Sequence, residues 1–190
     1  GYYQGGIFFG DTWEWDGNHW TRRAVTGPSA RSELAMVYDS GRRVTVLFGG
    51  FTGYANNETW EWNGTRWSRR AISGPPARSQ HAMVYDAARG VTVLFGGNNG
   101  SSNNGETWEW NGSSWTQRHP EHTPGRLYDA AMVYDSARGV MVLVNIDGET
   151  WEYIAPQQDC VGDLDGDNDT DHSDLGILLG DWGCVGSGPD

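Results

Sequence analysis

Val44-Thr-Val-Leu-Phe-Gly-Gly50, followed by Thr59-Trp-Glu-Trp62, an Asn63-Gly64 turn and a further tryptophan at Trp67, is the stretch on which the fold turns. Its first part is a short β-branched and aromatic run stopped by two glycines. Its second part alternates aromatic with polar residues before a dipeptide that accepts positive φ. Both read as short strands bounded by turn chemistry. The same words recur along the chain. Trp13-Glu14-Trp15, Trp60-Glu61-Trp62, Trp108-Glu109-Trp110 and Trp151-Glu152-Tyr153 stand at steps of 47, 48 and 43 residues. Ala-Met-Val-Tyr-Asp recurs at 35–39, 82–86 and 131–135, Phe95-Gly96-Gly97 repeats Phe48-Gly49-Gly50, and a third tryptophan follows at 20, 67 and 115. Self-similarity at this period predicts a series of stacked supersecondary units.

Each unit is expected to hold four strands, which in the second are roughly Glu33–Tyr38, Val44–Phe48, Thr59–Trp62 and Arg66–Ala71. The connections Asp39–Arg42, Asp86–Gly90 and Asp135–Gly139, and likewise Asn63–Thr65 and Asn111–Ser114, are tight-turn sequences. Alignment on the tryptophans gives the last two strands of one unit, two whole units and the first three strands of another, 13 strands in all.

Composition narrows the class. The chain has 190 residues, 11 Trp, 28 Gly, no Lys and a formal charge of −12. So many aromatics argue against a wholly disordered chain. The absence of clustered cation argues against nucleic acid as a partner, and no apolar run approaches the length of a membrane span. Charge is uneven: residues 1–153 are close to neutral, and residues 154–190 carry nine acidic side chains and no basic one.

The Gly-Gly after the second strand, the Tyr-Asp ending the first, and the spaced tryptophans of the third and fourth resemble kelch repeats of the bacterial extracellular kind. That resemblance covers nearly all of residues 1–153. It implies an all-β fold, a partial kelch β-propeller with about three and a half four-stranded blades present. It implies no activity, since propellers host many.

Beyond a linker at 154–159, Asp163, Asp165, Asp167, Asp169, Asp171 and Asp174 occupy positions 1, 3, 5, 7, 9 and 12 of a loop. A hard cation taking six to eight oxygens suits that spacing, so calcium is the expected cofactor. The loop and the following Gly176-Ile-Leu-Leu-Gly180 resemble one dockerin type I repeat, which implies a short helix near Ser173–Asp181. Cys160 and Cys184 flank the segment and are expected to close it as a disulfide, defining a module over 160–184 with a tail at 185–190. Disulfide and calcium together predict a secreted or cell-surface protein.

Residues present in every unit are read as structural. These are the tryptophans, Glu14, Glu61, Glu109 and Glu152, and two arginine series, Arg31, Arg78, Arg126 and Arg42, Arg89, Arg138. Function is sought in the connections that vary. These carry Tyr2, Tyr3, Phe51, Tyr54, Asn98, Asn99, His119 and His122, a candidate face for a protein or glycan ligand. Open sheet edges allow, alternatively, a homo-oligomer or filament built from identical copies. Asn57, Asn63, Asn99 and Asn111 satisfy the glycosylation sequon. No nucleophile–base arrangement stands out, and an enzyme is not expected.

Overall fold

The computed structural model describes residues 2–3, 7–23, 26–70 and 73–155, with side chains from residue 8 onward. The chain divides at Ile154, and the unit Gly1–Ile154 carries the architecture below. It is built from short antiparallel strands. β1 (Tyr2–Tyr3) pairs with β2 (Ile7–Phe8), and β3 (Thr12–Trp15) with β4 (Trp20–Arg23). A first full sheet runs β5 (Ala35–Asp39), β6 (Val44–Phe48), β7 (Thr59–Trp62), β8 (Trp67–Arg69). The second runs β9 (Ala82–Asp86), β10 (Val91–Phe95), β11 (Thr107–Trp110), β12 (Trp115–Arg118). A three-stranded sheet follows: β13 (Ala131–Asp135), β14 (Val140–Val144), β15 (Thr150–Tyr153). The 13 expected strands are joined by the β1–β2 pair, which lies where the other units have only isolated bridges, Phe51 to Ala55 and Asn98 to Asn103.

Two expectations need correction. The strands form five separate sheets, of two, two, four, four and three strands, and the described residues contain no closed propeller. Nor do they contain a helix, so the expected calcium-loop–helix module has no counterpart among them. The residues on which that module was placed, including the linker, lie outside the described residues, apart from Ile154 and Ala155.

The sheets stack because their strands are covered on both faces. In β7, alternation puts Thr59 and Glu61 on one face and Trp60 and Trp62 on the other. Thr59, Glu61 and Trp62 are all buried. Between the two full sheets, Val46 and Phe48 pack with Met83, Leu94, Trp110 and Trp115. The next layer joins Val84 and Val93 to Met141, with Met132, Tyr134 and Tyr153 at its margin.

The first glycine of each Gly-Gly pair is required by the unit that follows it and the second by its own, where a Cβ on Gly50 would stand 2.8 Å from the Ser32 carbonyl oxygen. Gly49 has φ 63°, and a Cβ there would stand 2.5 Å from the Arg78 carbonyl oxygen. That carbonyl accepts the Gly50 N–H at 3.0 Å, and Leu127 repeats the arrangement by accepting from Gly97 at 2.8 Å. After β14 the corresponding residues are Asn145 and Ile146. Gly139 also has positive φ, but nothing lies within 4 Å of its missing Cβ. Gly49→Ala should therefore cost about 2 kcal/mol more than Gly139→Ala, which bears backbone strain alone. Urea unfolding of the two variants checks the difference.

Candidate functional site

The two full sheets each reach back to the sheet before them through indole N–H groups. Trp62 Nε1 donates to Glu14 Oε1 at 2.7 Å, and Trp110 Nε1 to Glu61 Oε1 at 3.1 Å. From the fourth strands, Trp67 Nε1 donates to Thr12 Oγ1 at 2.8 Å and Trp115 Nε1 to Thr59 Oγ1 at 2.9 Å. Tyr85 makes a third link, its hydroxyl accepting the Gly41 N–H at 3.3 Å. One face of a sheet thus presents Trp, Trp and Tyr. The opposite face of its predecessor presents Thr, Glu and an Asp turn.

The glutamates are more than face polarity. Glu61 accepts from Arg42 at 2.6 Å and from Arg70 at 2.7 Å as well as from Trp110. Glu109 takes Arg89 and Arg118 in the same way, at 2.7 and 2.8 Å. The Trp62 indole and then the Arg23 guanidinium hold Glu14 below the usual carboxylate range. Asp39, Asp86 and Asp135 bind the arginine of their own turn, Arg42, Arg89 and Arg138. The other arginine series is partly misread from sequence. Arg31 and Arg78 are buried and reach Gly49 O and Gly96 O at 2.9 Å, with Glu58 and Glu106 on the same guanidinium groups. The position equivalent to them in the next unit is Leu127, not Arg126. There Glu149 is met by Asn145 Nδ2 at 3.0 Å.

At one end of the series the tryptophan face is bare. Trp13, Trp15 and Trp20 are 50%, 51% and 64% exposed. The Trp15–Trp20 rings nonetheless stand 5.5 Å apart at 39°, as do the covered pairs Trp62–Trp67 (5.6 Å, 43°) and Trp110–Trp115 (5.5 Å, 38°). Neither exposed indole N–H has a partner among the described residues. On the first full sheet Met36 and Tyr38 are exposed, whereas Met83, the equivalent of Met36 in the second, is buried. An open hollow of about 300 Å³ lies between β3–β4 and the first full sheet, lined in part by Phe9, Met36, Leu47 and Trp67. It opens because no pair of strands like β5–β6 completes the β3–β4 sheet among the described residues. At the other end Thr150 and Glu152 are exposed, Glu152 holding only Arg138 at 2.6 Å. These are the residue types that receive the tryptophans elsewhere.

The side chains of the variable connections differ in exposure and in partners. Tyr54 is 71% exposed, whereas Phe51 is half-buried and packs edge-on to Phe8 at 6.0 Å. Asn98 and Asn99 fold their own loop: Asn98 Nδ2 donates to Asn103 Oδ1 at 2.7 Å, and Asn99 Oδ1 accepts from Ser101 and Ser102. His119 and His122 are exposed, and Tyr2 and Tyr3 lie in β1. Asn57, Asn63, Asn99 and Asn111 are exposed, and the oxygens of the last three fix turns, which accounts for their spacing from Ser or Thr. Sequence reasoning missed His81. It is buried against Phe48 at a ring distance of 5.5 Å. Burial, and then the nearby Arg78 charge, pull it down from 6.5 to about 3.

No group of three or more His, Cys, Asp or Glu side chains that could hold a metal ion occurs among the described residues, so His119 and His122 form no centre. Asp163, Asp165, Asp167, Asp169, Asp171, Asp174, Cys160 and Cys184 lie outside the described residues. Neither a disulfide nor a calcium site occurs among the described residues, which include neither cysteine and none of these aspartates. Among the described residues no helix is long and apolar enough to cross a membrane. Comparison with protein-family models and with curated proteins finds no match for this chain. The kelch and dockerin resemblances therefore gain no family assignment, and an all-β series of repeated four-strand units is what stands.

Proposed function

We propose that this chain is a non-enzymatic stacking module whose bare tryptophan face docks on the threonine–glutamate face of a second copy, head to tail. The observation that carries this reading is the Trp15–Trp20 pair, held in the geometry of two covered pairs yet exposed. In the proposed contact Trp15 donates to Glu152 and Trp20 to Thr150 of the second copy, as Trp62 and Trp67 do to Glu14 and Thr12 within one chain. Tryptophan is enriched among the residues that dominate interface energetics, and a contact between two different faces extends into a ring or an open array. A non-enzymatic role is supported by Glu61 and Glu109, which are buried and each held by two arginines, poorly placed for acid–base work.

Sedimentation of the full chain over a concentration series tests it. Mass should grow reversibly with concentration, and Trp15→Ala/Trp20→Ala or Thr150→Val/Glu152→Gln should each leave a monomer. Mixed together, the two variants should form a dimer that grows no further, because each retains one working face. A wild-type chain that stays monomeric at about 100 μM, where a micromolar contact would be saturated, rejects the proposal.

A further inference from the structure

The last sheet differs from its two predecessors by the absence of a fourth strand among the described residues, and the difference leaves a shaped vacancy. Between the second full sheet and β13–β15 lies a cavity of about 70 Å³, walled by apolar groups that include Phe95, Met141, Trp151 and Tyr153, with Thr107 on one side. At the preceding interface Phe48 and Thr59 stand where Phe95 and Thr107 stand here. There Trp115 fills the space, its ring 5.2 Å from Phe48 and its N–H on Thr59 Oγ1 at 2.9 Å. Trp67 does the same against Thr12. Among the described residues no indole N–H reaches Thr107.

Two further vacancies line up with this one. β7 pairs on its outer edge with β8, and β11 with β12, whereas no described strand pairs with the outer edge of β15. Each mid-strand glutamate also takes an arginine three residues after the fourth-strand tryptophan: Arg23 on Glu14, Arg70 on Glu61, Arg118 on Glu109. Glu152 has only its turn arginine, Arg138. The sequence after Tyr153 does not repeat the pattern, for it places Pro156 in the connection and Gln158 where the other units have tryptophan.

We propose that the edge of β15 and the slot beside it form a binding site for an extended segment of another protein that carries Trp-x-x-Arg. The incoming strand runs antiparallel to β15. Its tryptophan stands opposite Tyr153, in the register Trp110 keeps with Trp115, and enters the slot with its N–H on Thr107. Its arginine meets the second oxygen of Glu152. Main-chain pairing supplies affinity, and the two side chains supply specificity. This site shares Glu152 with the stacking face, and Glu61 shows that one glutamate accommodates two arginines and an indole together.

The probe is a labelled peptide Gly-Ser-Ser-Trp-Thr-Gln-Arg-His, copied from residues 112–119, titrated by anisotropy into the full chain carrying Trp15→Ala/Trp20→Ala. That background removes self-association and the chain's own exposed Trp-x-x-Arg, so failure of stacking and failure of the slot are read separately. Saturable binding is expected. It should weaken at least ~10-fold, or 1.4 kcal/mol, when the peptide's Trp or Arg becomes Ala. With Glu152→Gln the Arg-to-Ala change should lose its effect while the Trp-to-Ala change keeps it. Absence of saturable binding at about 1 mM peptide, or binding indifferent to the Trp-to-Ala change, overturns the proposal.

Discussion

Glu61→Ala is expected to lower the unfolding free energy by about 3 kcal/mol, through the loss of charge-assisted hydrogen bonds and a buried donor left unpaired. The carboxylate is 2% exposed and accepts from Arg42, Arg70 and the Trp110 indole. Alanine leaves the buried Trp110 N–H without its acceptor and takes a partner from Arg42, which keeps Asp39, and from the half-exposed Arg70, at the joint between two sheets. Glu152 provides the internal control. It is the same residue in the repeat, but it is 45% exposed and holds a single arginine. Glu152→Ala should cost less than about 1 kcal/mol. Urea unfolding of both variants makes the comparison, and equal losses would show that the joint is not held through Glu61.

The second large effect depends on pH. His81 has a folded-state pKa of about 3 against an ordinary 6.5, chiefly because burial disfavours its charged form and secondarily because Arg78 is close. Between those values the unfolded chain binds a proton that the folded chain refuses. Stability therefore falls as pH drops through that window, by about 1.4 kcal/mol per unit. Leu34 and Ala130 occupy the equivalent position in the neighbouring units. His81→Leu should remove this contribution, so that by two units below 6.5 the variant has gained about 3 kcal/mol relative to wild type. Denaturation at pH 7, 5.5 and 4.5 reads the divergence. Parallel decline of the two proteins would mean that the imidazole is protonated in the folded state.

Strand positions were legible because local chemistry suffices for them. Val44–Phe48 and Thr59–Trp62 were expected with the bounds they have, since a β-branched run and an aromatic–polar alternation each end at glycine or Asn-Gly. The partners of Glu61 were not legible. Trp110 lies 49 residues away, and nothing near Glu61 in sequence says that its face receives an indole. The Arg126 error carried its own signal. Arg31 and Arg78 precede the Ala-Met-Val-Tyr-Asp segment by four residues and Arg126 by five, which moves Leu127 into register. What the loop asparagines do was not legible either: Asn98 and Asn99 shape their own turns. The acidic loop and its cysteines were read from spacing alone, and the described residues do not reach them.

The close approach at Gly49 bears on where a repeat begins. Gly49 closes one unit in sequence, yet the nearest atom that forbids a side chain there belongs to Arg78 in the next, whereas Gly50 is hemmed in by Ser32 of its own unit. A cassette cut at the obvious loop boundaries and moved elsewhere would carry a glycine fitted to a neighbour left behind. Grafting or duplication keeps its constraints intact only if the cut falls inside a sheet, so that a Gly-Gly and the Arg segment it admits travel together. The natural module of this chain is in that sense the joint rather than the sheet.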